Sequence, residues 1–254
     1  MKIAASDFDG TLYVEGTGVK ARDVSAIHRW RAAGNKFGLV TGRGLSFILA
    51  GLEPYDIPFD FLVCTNGAVV FDAQQRLLAA KRLDADILQQ LMQEPLVEQS
   101  HYVLFFRIAD ALIYWRTPEL HPELARAPMQ EIAAPSPEGI ADITQVSLAF
   151  GSREEAEHAA RQLQQKFAGR LYVSTNRIYI DIIAAGVDKS TGLQCLQKSM
   201  QWQSCPMLVI GDDTNDLPML QHYHGYTVDR ARETIKAQAS GMYTDVGAML
   251  AAHC

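Results

Sequence analysis

The sequence predicts an α/β fold, a helix-covered parallel sheet interrupted by an inserted α+β module. Three observations carry this expectation. Short apolar runs alternate with amphipathic stretches at the start of the chain. The middle reads as hairpins and helices instead. After Gly186 the first pattern returns.

The elements follow in order. Residues 2–6 read as a buried strand that delivers Asp7 at its end. Val24, Ile27 and Trp30 are spaced as a helix stripe, and Gly34 stops that helix. Residues 36–40 form the next strand, ending at Thr41-Gly42-Arg43-Gly44, and a helix covers about 45–52. Residues 61–64 form a third strand, ending at Thr65-Asn66-Gly67.

In the middle, Asp84 caps a helix carrying Ile87, Leu88, Leu91 and Met92, which Pro95 closes. Residues 101–115 suggest a hairpin about Ala109-Asp110. Pro118, Pro122, Pro128, Pro135 and Pro137 punctuate an irregular stretch, and 143–150 is a strand. Ser152 and Glu155 make a capping box for a helix with Ala156, Ala159, Leu163 and Phe167 on one face. A second hairpin turns at Thr175-Asn176.

Asp188 then opens a helix with Leu193, Leu196 and Met200, and 207–210 is a strand ending at Gly211-Asp212-Asp213. A helix near Leu217–Leu220, a strand near Tyr226, a helix near Glu233 and a strand near Tyr243 complete the pattern. The boundaries this predicts are a core of 1–81 and 184–254 and an insert of 82–183.

Composition bounds the function. The 254 residues suffice for one large or two modest domains, and 48% apolar content argues against disorder. A net charge of −6 excludes an extended nucleic-acid or anionic-membrane surface. Met1-Lys2-Ile3-Ala4-Ala5-Ser6 runs straight into Asp7, so no apolar signal segment is read. The run from Phe61 to Phe71 is too short to span a membrane. The four cysteines form no CxxC pair. Reduced thiols and a cytoplasmic location are expected.

The chemistry-bearing clusters sit at strand ends and one helix start. Asp7-Phe8-Asp9-Gly10-Thr11 places two carboxylates at i and i+2 behind a buried strand, where Mg²⁺ would relieve their repulsion. As a calcium loop it fails: Leu12 and Gly18 stand where glycine and glutamate belong. Gly211-Asp212-Asp213-Thr214-Asn215-Asp216 crowds three carboxylates behind another strand. Thr41-Gly42-Arg43 offers a hydroxyl, backbone N–H groups and a guanidinium to an anion. Lys189 stands in the first turn of a helix, where the dipole also favours phosphate. Each cluster alone also reads as a capped turn or a solvated charge. Neither Gly186-Val187-Asp188-Lys189-Ser190 nor Gly42-Arg43-Gly44 completes a nucleotide loop.

In this order and placement the set resembles the haloacid dehalogenase superfamily. With Asn66-Gly67 and the GVDKSTGL segment it resembles the Cof-type (subclass IIB) phosphatases. The resemblance implies a Rossmann-like core with an inserted α+β cap. It makes Asp7 the nucleophile and Asp9 the general acid and base. Thr41 and Lys189 would hold the phosphoryl oxygens. Mg²⁺ would be bound by Asp7, the Asp9 carbonyl and Asp212. Asn215 would orient the phosphate, and Asp216 would position Lys189 or metal-bound water.

Arg43, Asn66 and, from the cap, Arg177 are further substrate-binding candidates, with Arg107, Tyr114, Trp115 and Tyr179 beside them. The expected partner is a small phosphorylated metabolite, a sugar phosphate first, and not nucleic acid or membrane. The chain would act as a monomer or small homo-oligomer. A phosphomutase and a non-catalytic phosphometabolite-binding protein are the alternatives.

Overall fold

In the computed structural model the first strand, β1 (Ile3–Ser6), is buried along its whole length, as a strand covered on both faces must be. The structure describes residues 1–121, 124, 127–136 and 139–254. Pro122 and Pro137 of the proline-punctuated stretch lie outside them. After β1 comes a short hairpin of two-residue strands, β2 (Tyr13–Val14) and β3 (Gly18–Val19). α1 (Ala21–Ala32) buries Ala26, Ile27 and Trp30. β4 (Lys36–Val40), α2 (Leu45–Leu52) and β5 (Phe61–Cys64) follow where the pattern placed them. β6 (Val69–Asp72) and β7 (Leu77–Ala80) were not anticipated.

The middle contains α3 (Ala85–Met92), α4 (Pro95–Glu98), β8 (Tyr102–Phe106), β9 (Ala111–Trp115) and β10 (Gln130–Glu131). β11 (Gln145–Ala149), α5 (Arg153–Lys166), β12 (Leu171–Asn176) and β13 (Tyr179–Ala184) complete it. Then come α6 (Lys189–Ser199), β14 (Met207–Gly211), α7 (Leu217–His222), β15 (Tyr226–Val228), α8 (Glu233–Lys236), β16 (Gly241–Tyr243) and α9 (Val246–His253).

The chain forms two compact units. The first is Met1–Thr41, Leu52–Ala79 and Asp188–Cys254, and the second is Gly42–Gly51 and Ala80–Val187. The first unit holds an eight-stranded sheet of order β16-β15-β14-β1-β4-β5-β6-β7. β16 through β5 run parallel, which puts the carboxyl ends of β1, β4, β5 and β14 on one edge. That edge is where ligands of open α/β sheets bind. Beyond β5 the pairing changes: β6 pairs antiparallel with β5, because the Asn66-Gly67 turn folds the apolar run back on itself.

The second unit is a six-stranded sheet of order β10-β9-β8-β11-β13-β12. α3 and α5 cover one face through Ile87, Leu91, Ala156, Ala159 and Leu163, packed on Phe105, Val146, Leu148 and Ile182. On the other face Tyr102, Leu104, Phe106 and Ile113 pack with Phe47. The Phe47 ring meets Phe106 edge-on at 5.3 Å, and the Gln145 amide donates to the Gly42 carbonyl at 3.0 Å. These contacts place residues 42–51 with the second unit, whereas the sequence boundaries kept them in the core.

Three smaller differences have local causes. Pro95 ends α3 but also opens α4 as its first residue, where its missing N–H is harmless. The second hairpin turns at Arg177, with φ +55°, so Thr175 and Asn176 stay in the strand. Ser152 accepts from the Glu155 amide, but the Glu155 carboxylate takes the Gly151 N–H, so only half the capping box forms. No helix among the described residues is long and apolar enough to cross a membrane.

Candidate active site

The parallel ladder extends β1 by one bond, Asp7 N–H to the Ile210 carbonyl at 2.9 Å, and so fixes Asp7 at the strand end. The next residues turn sharply: Tyr13 N–H donates to the Phe8 carbonyl at 2.7 Å and Gly10 N–H to the Tyr13 carbonyl at 2.8 Å. Phe8 is fully buried and its ring stacks on Tyr13. Asp9 is partly exposed beside it. Gly10 takes φ +89°, and a Cβ there would lie 2.3 Å from Asp212 Oδ2. Only glycine fits so close an approach. Thr11 Oγ1 donates to Asp212 Oδ1 at 2.6 Å.

β14 delivers the second acidic loop. Asp216 folds back over it, accepting from the Asp212 and Asp213 amides through Oδ2 at 2.8 and 3.0 Å. Its other oxygen accepts from Lys189 Nζ at 2.6 Å, and the same ammonium donates to Asp7 Oδ1 at 2.7 Å. Lys189 is the first residue of α6, which Asp188 caps by accepting from the Thr191 amide at 2.8 Å. The lysine is fully buried.

Thr41 is buried at the end of β4. Its N–H donates to the Val63 carbonyl at 2.8 Å and its own carbonyl accepts from Asn66 N–H at 3.0 Å. Thr65, Asn66 and Gly67 run through left-handed backbone in succession, at φ +47°, +52° and +103°. This turn couples the loops: Asn66 Oδ1 accepts from Asn215 Nδ2 at 3.0 Å. A Cβ on Gly67 would lie 2.0 Å from the Asp188 carbonyl oxygen. Left-handed backbone costs a β-branched residue such as Thr65 about 1–3 kcal/mol. Among the described residues the buried Thr65 hydroxyl oxygen has no hydrogen-bond partner.

The structure thus brings Asp7, Lys189, Asp212 and Asp216 into one cluster, links Asn66 to Asn215, and sets Thr41 on the same turn. Arg43 and Arg177 belong to the second unit, where Arg43 Nη1 lies 3.4 Å from the Phe47 carbonyl and Arg177 is exposed. Arg107 is engaged with Asp110, and Trp115 packs edge-on against Tyr102. Sequence reasoning missed Thr11 and Thr65 as site residues. The first had a signal, a hydroxyl two positions beyond Asp9.

The electrostatics ask for a cation. Carboxylate oxygens of Asp7, Asp212 and Asp216 all lie within 4.8 Å of one another. Burial, then Asp216 and Asp212, push Asp7 well above the carboxylate range, while Lys189 opposes them. Burial, Asp216 and Asp213 raise Asp212 to about 7 against the Thr11 hydrogen bond and Lys189. Burial alone would lower Lys189, but Asp216 and Asp7 outweigh it and hold the ammonium above its usual range. One lysine does not neutralise three carboxylates, two of them buried and the third half-buried. With both Asp216 oxygens hydrogen-bonded, Asp7 and Asp212 are the side chains suited to an incoming cation. An all-oxygen donor set fits Mg²⁺.

A family profile for haloacid dehalogenase-like hydrolases matches residues 4–246. The chain belongs to that family, and the Cof-type assignment from the sequence agrees with this. Pyridoxal phosphate phosphatase YbhA of Escherichia coli K12 is 21% identical over 262 residues, covering 94% of this chain and 92% of its own. A haloacid dehalogenase-like hydrolase from B. subtilis superposes with a TM-score of 0.86 at 20% identity, covering 99% of both chains. A subclass IIB sugar phosphatase superposes with a TM-score of 0.81 at 18% identity, over 99% of this chain and 97% of its own.

Proposed function

We propose that the protein is a Mg²⁺-dependent phosphatase of small phosphorylated metabolites, sugar phosphates foremost. The observation that carries this is the buried Lys189 ammonium shared by Asp7 and Asp216 beside Asp212. It holds a carboxylate nucleophile ready at the mouth of a parallel sheet, with cationic charge for a phosphoryl dianion. Mg²⁺ on Asp7 and Asp212, completed by the Asp9 carbonyl, would supply further positive charge to the phosphoryl oxygens.

An Asp7 carboxylate oxygen attacks phosphorus, the ester P–O bond breaks, and Asp9 gives its proton to the leaving alkoxide. Asp9 then takes a proton from water as that water attacks the aspartyl-phosphate. Inorganic phosphate leaves and Asp7 is restored. Thr41 and Lys189 hold the phosphoryl oxygens, and Asn215 orients the phosphate under the grip of Asn66. Asp216 keeps Lys189 in place. The inserted 82–183 segment is assigned the family's specificity-cap role, with Arg43 and Arg177 as candidate leaving-group contacts. The match to a sugar phosphatase supports that substrate class, and the pyridoxal phosphate phosphatase supplies its nearest competitor.

The test is phosphate release from a panel of sugar phosphates, pyridoxal phosphate and p-nitrophenyl phosphate, with and without millimolar Mg²⁺. Turnover that needs the metal and disappears in Asp7→Asn is expected. Binding without turnover across the panel would replace the phosphatase by a metabolite-binding protein. Conversion of glucose 1-phosphate to glucose 6-phosphate without free phosphate would make it a mutase.

A further inference from the structure

We propose that Arg230 is a positioning residue that holds Asp212 in place for the divalent cation, acting through the backbone of Gly10 and Thr11. The inference rests on the Mg²⁺ reading above. Arg230 lies in the turn between β15 and α8, outside every motif that the sequence singles out. Its Nε donates to the Gly10 carbonyl at 2.8 Å and its Nη2 to the Thr11 carbonyl. Its Nη1 lies 3.4 Å from the Thr244 carbonyl. A planar guanidinium fork can hold two consecutive carbonyls at once, which a lysine ammonium does not reproduce.

The gripped segment is the one that touches Asp212. Thr11 Oγ1 donates to Asp212 Oδ1, and the Gly10 Cα presses so near Oδ2 that no side chain fits between them. Both oxygens of Asp212 are therefore bounded by residues whose peptides Arg230 fixes. The acidic neighbours cannot do this work, since Asp216 and Asp213 repel the Asp212 carboxylate. Two residues further along the same turn, Arg232 Nη2 donates to Asp213 Oδ1 at 2.5 Å. One short turn thus grips the loops on both sides of Asp212. Partners that orient a metal ligand from behind are typically worth about 10–100-fold in metal affinity.

Calorimetric titration of MgCl₂ into the full-length protein tests the proposal, comparing wild type with Arg230→Met, Arg230→Lys and the distant surface control Arg29→Met. Arg230→Met is expected to weaken Mg²⁺ binding about 10-fold, with Arg230→Lys in between and Arg29→Met at wild type. KM for the phosphorylated substrate at saturating Mg²⁺ should not move. Mg²⁺ affinity within about twofold of wild type in Arg230→Met overturns the proposal, even if Tm or kcat falls. If Arg230→Met does not fold, Arg230→Lys decides: an affinity loss of about threefold or more supports the clamp, and wild-type affinity overturns it. Wild type that binds no Mg²⁺ overturns both the clamp and the metal reading beneath it. Wild type that binds while Arg230→Met matches it overturns the clamp alone.

Discussion

Asp7 shows at the scale of one residue how function and stability pull apart. Its carboxylate is buried beside two others, and among the described residues Lys189 is what opposes the crowding. Asp7→Asn should lower kcat at least about 1,000-fold, since in the proposed mechanism the Asp7 carboxylate is the group that attacks phosphorus. The same change should raise the Tm of the metal-free protein by about 2 °C or more in a thermal melt, because it removes a charge that the fold disfavours. The clustering of Asp7, Lys189, Asp212 and Asp216 could be anticipated, each standing at a fixed offset from a strand end or a helix start. The parts played by Thr65 and Arg230 could not. The first is marked by backbone strain, which leaves no pattern in residue type, and the second acts on carbonyls that every residue possesses.

Among the elements, the Thr65-Asn66-Gly67 turn and the α1–α9 contact carry the sharpest expectations. Gly67→Ala combines a φ of +103° with a Cβ driven into the Asp188 carbonyl, and so displaces the start of α6 that seats Lys189. A loss of about 2 kcal/mol or more in urea unfolding is expected, together with a fall in kcat.

At the other contact, Asp23 on α1 accepts from the Gly247 amide of α9 at 2.7 Å. Burial raises it to about 6 despite that bond, and Asp245 adds to the rise. A folded pKa above the unfolded one means that folding takes up a proton. The contribution is whole below about pH 4 and is lost as pH rises through about 6. Asp23→Asn keeps the acceptor and cannot ionise. It should stabilise the protein above pH 6 by about 1 kcal/mol and flatten Tm against pH across that window.

Most strands and helices could be read because hydrophobic period separates them. β6 could not, since the run from Phe61 to Phe71 is apolar on both sides of its turn, and neither could the four-residue β7.

Across the whole molecule the net charge is −6, and three of its carboxylates, Asp7, Asp212 and Asp216, stand together where a cation can bind. The two units divide near residues 80 and 188, and the sequence pattern changes near 82 and 184. The exception is 42–51, which follows Thr41 directly in the chain but clusters with the insert. Local pattern cannot show this, because a helix after a strand looks the same whichever sheet it covers.

That assignment matters to anyone who would transplant the insert. A graft of 80–187 alone leaves behind the helix whose Phe47 shields Phe106 and Leu104, and the Gly42 carbonyl that the Gln145 amide holds. Such a fragment should bind a hydrophobic dye and aggregate, whereas one that also carries 42–51 on a short linker should remain monomeric in size-exclusion chromatography. The unit of exchange in recombining such proteins is then two pieces of chain, and the smaller piece begins one peptide bond from the residue that would hold the phosphate.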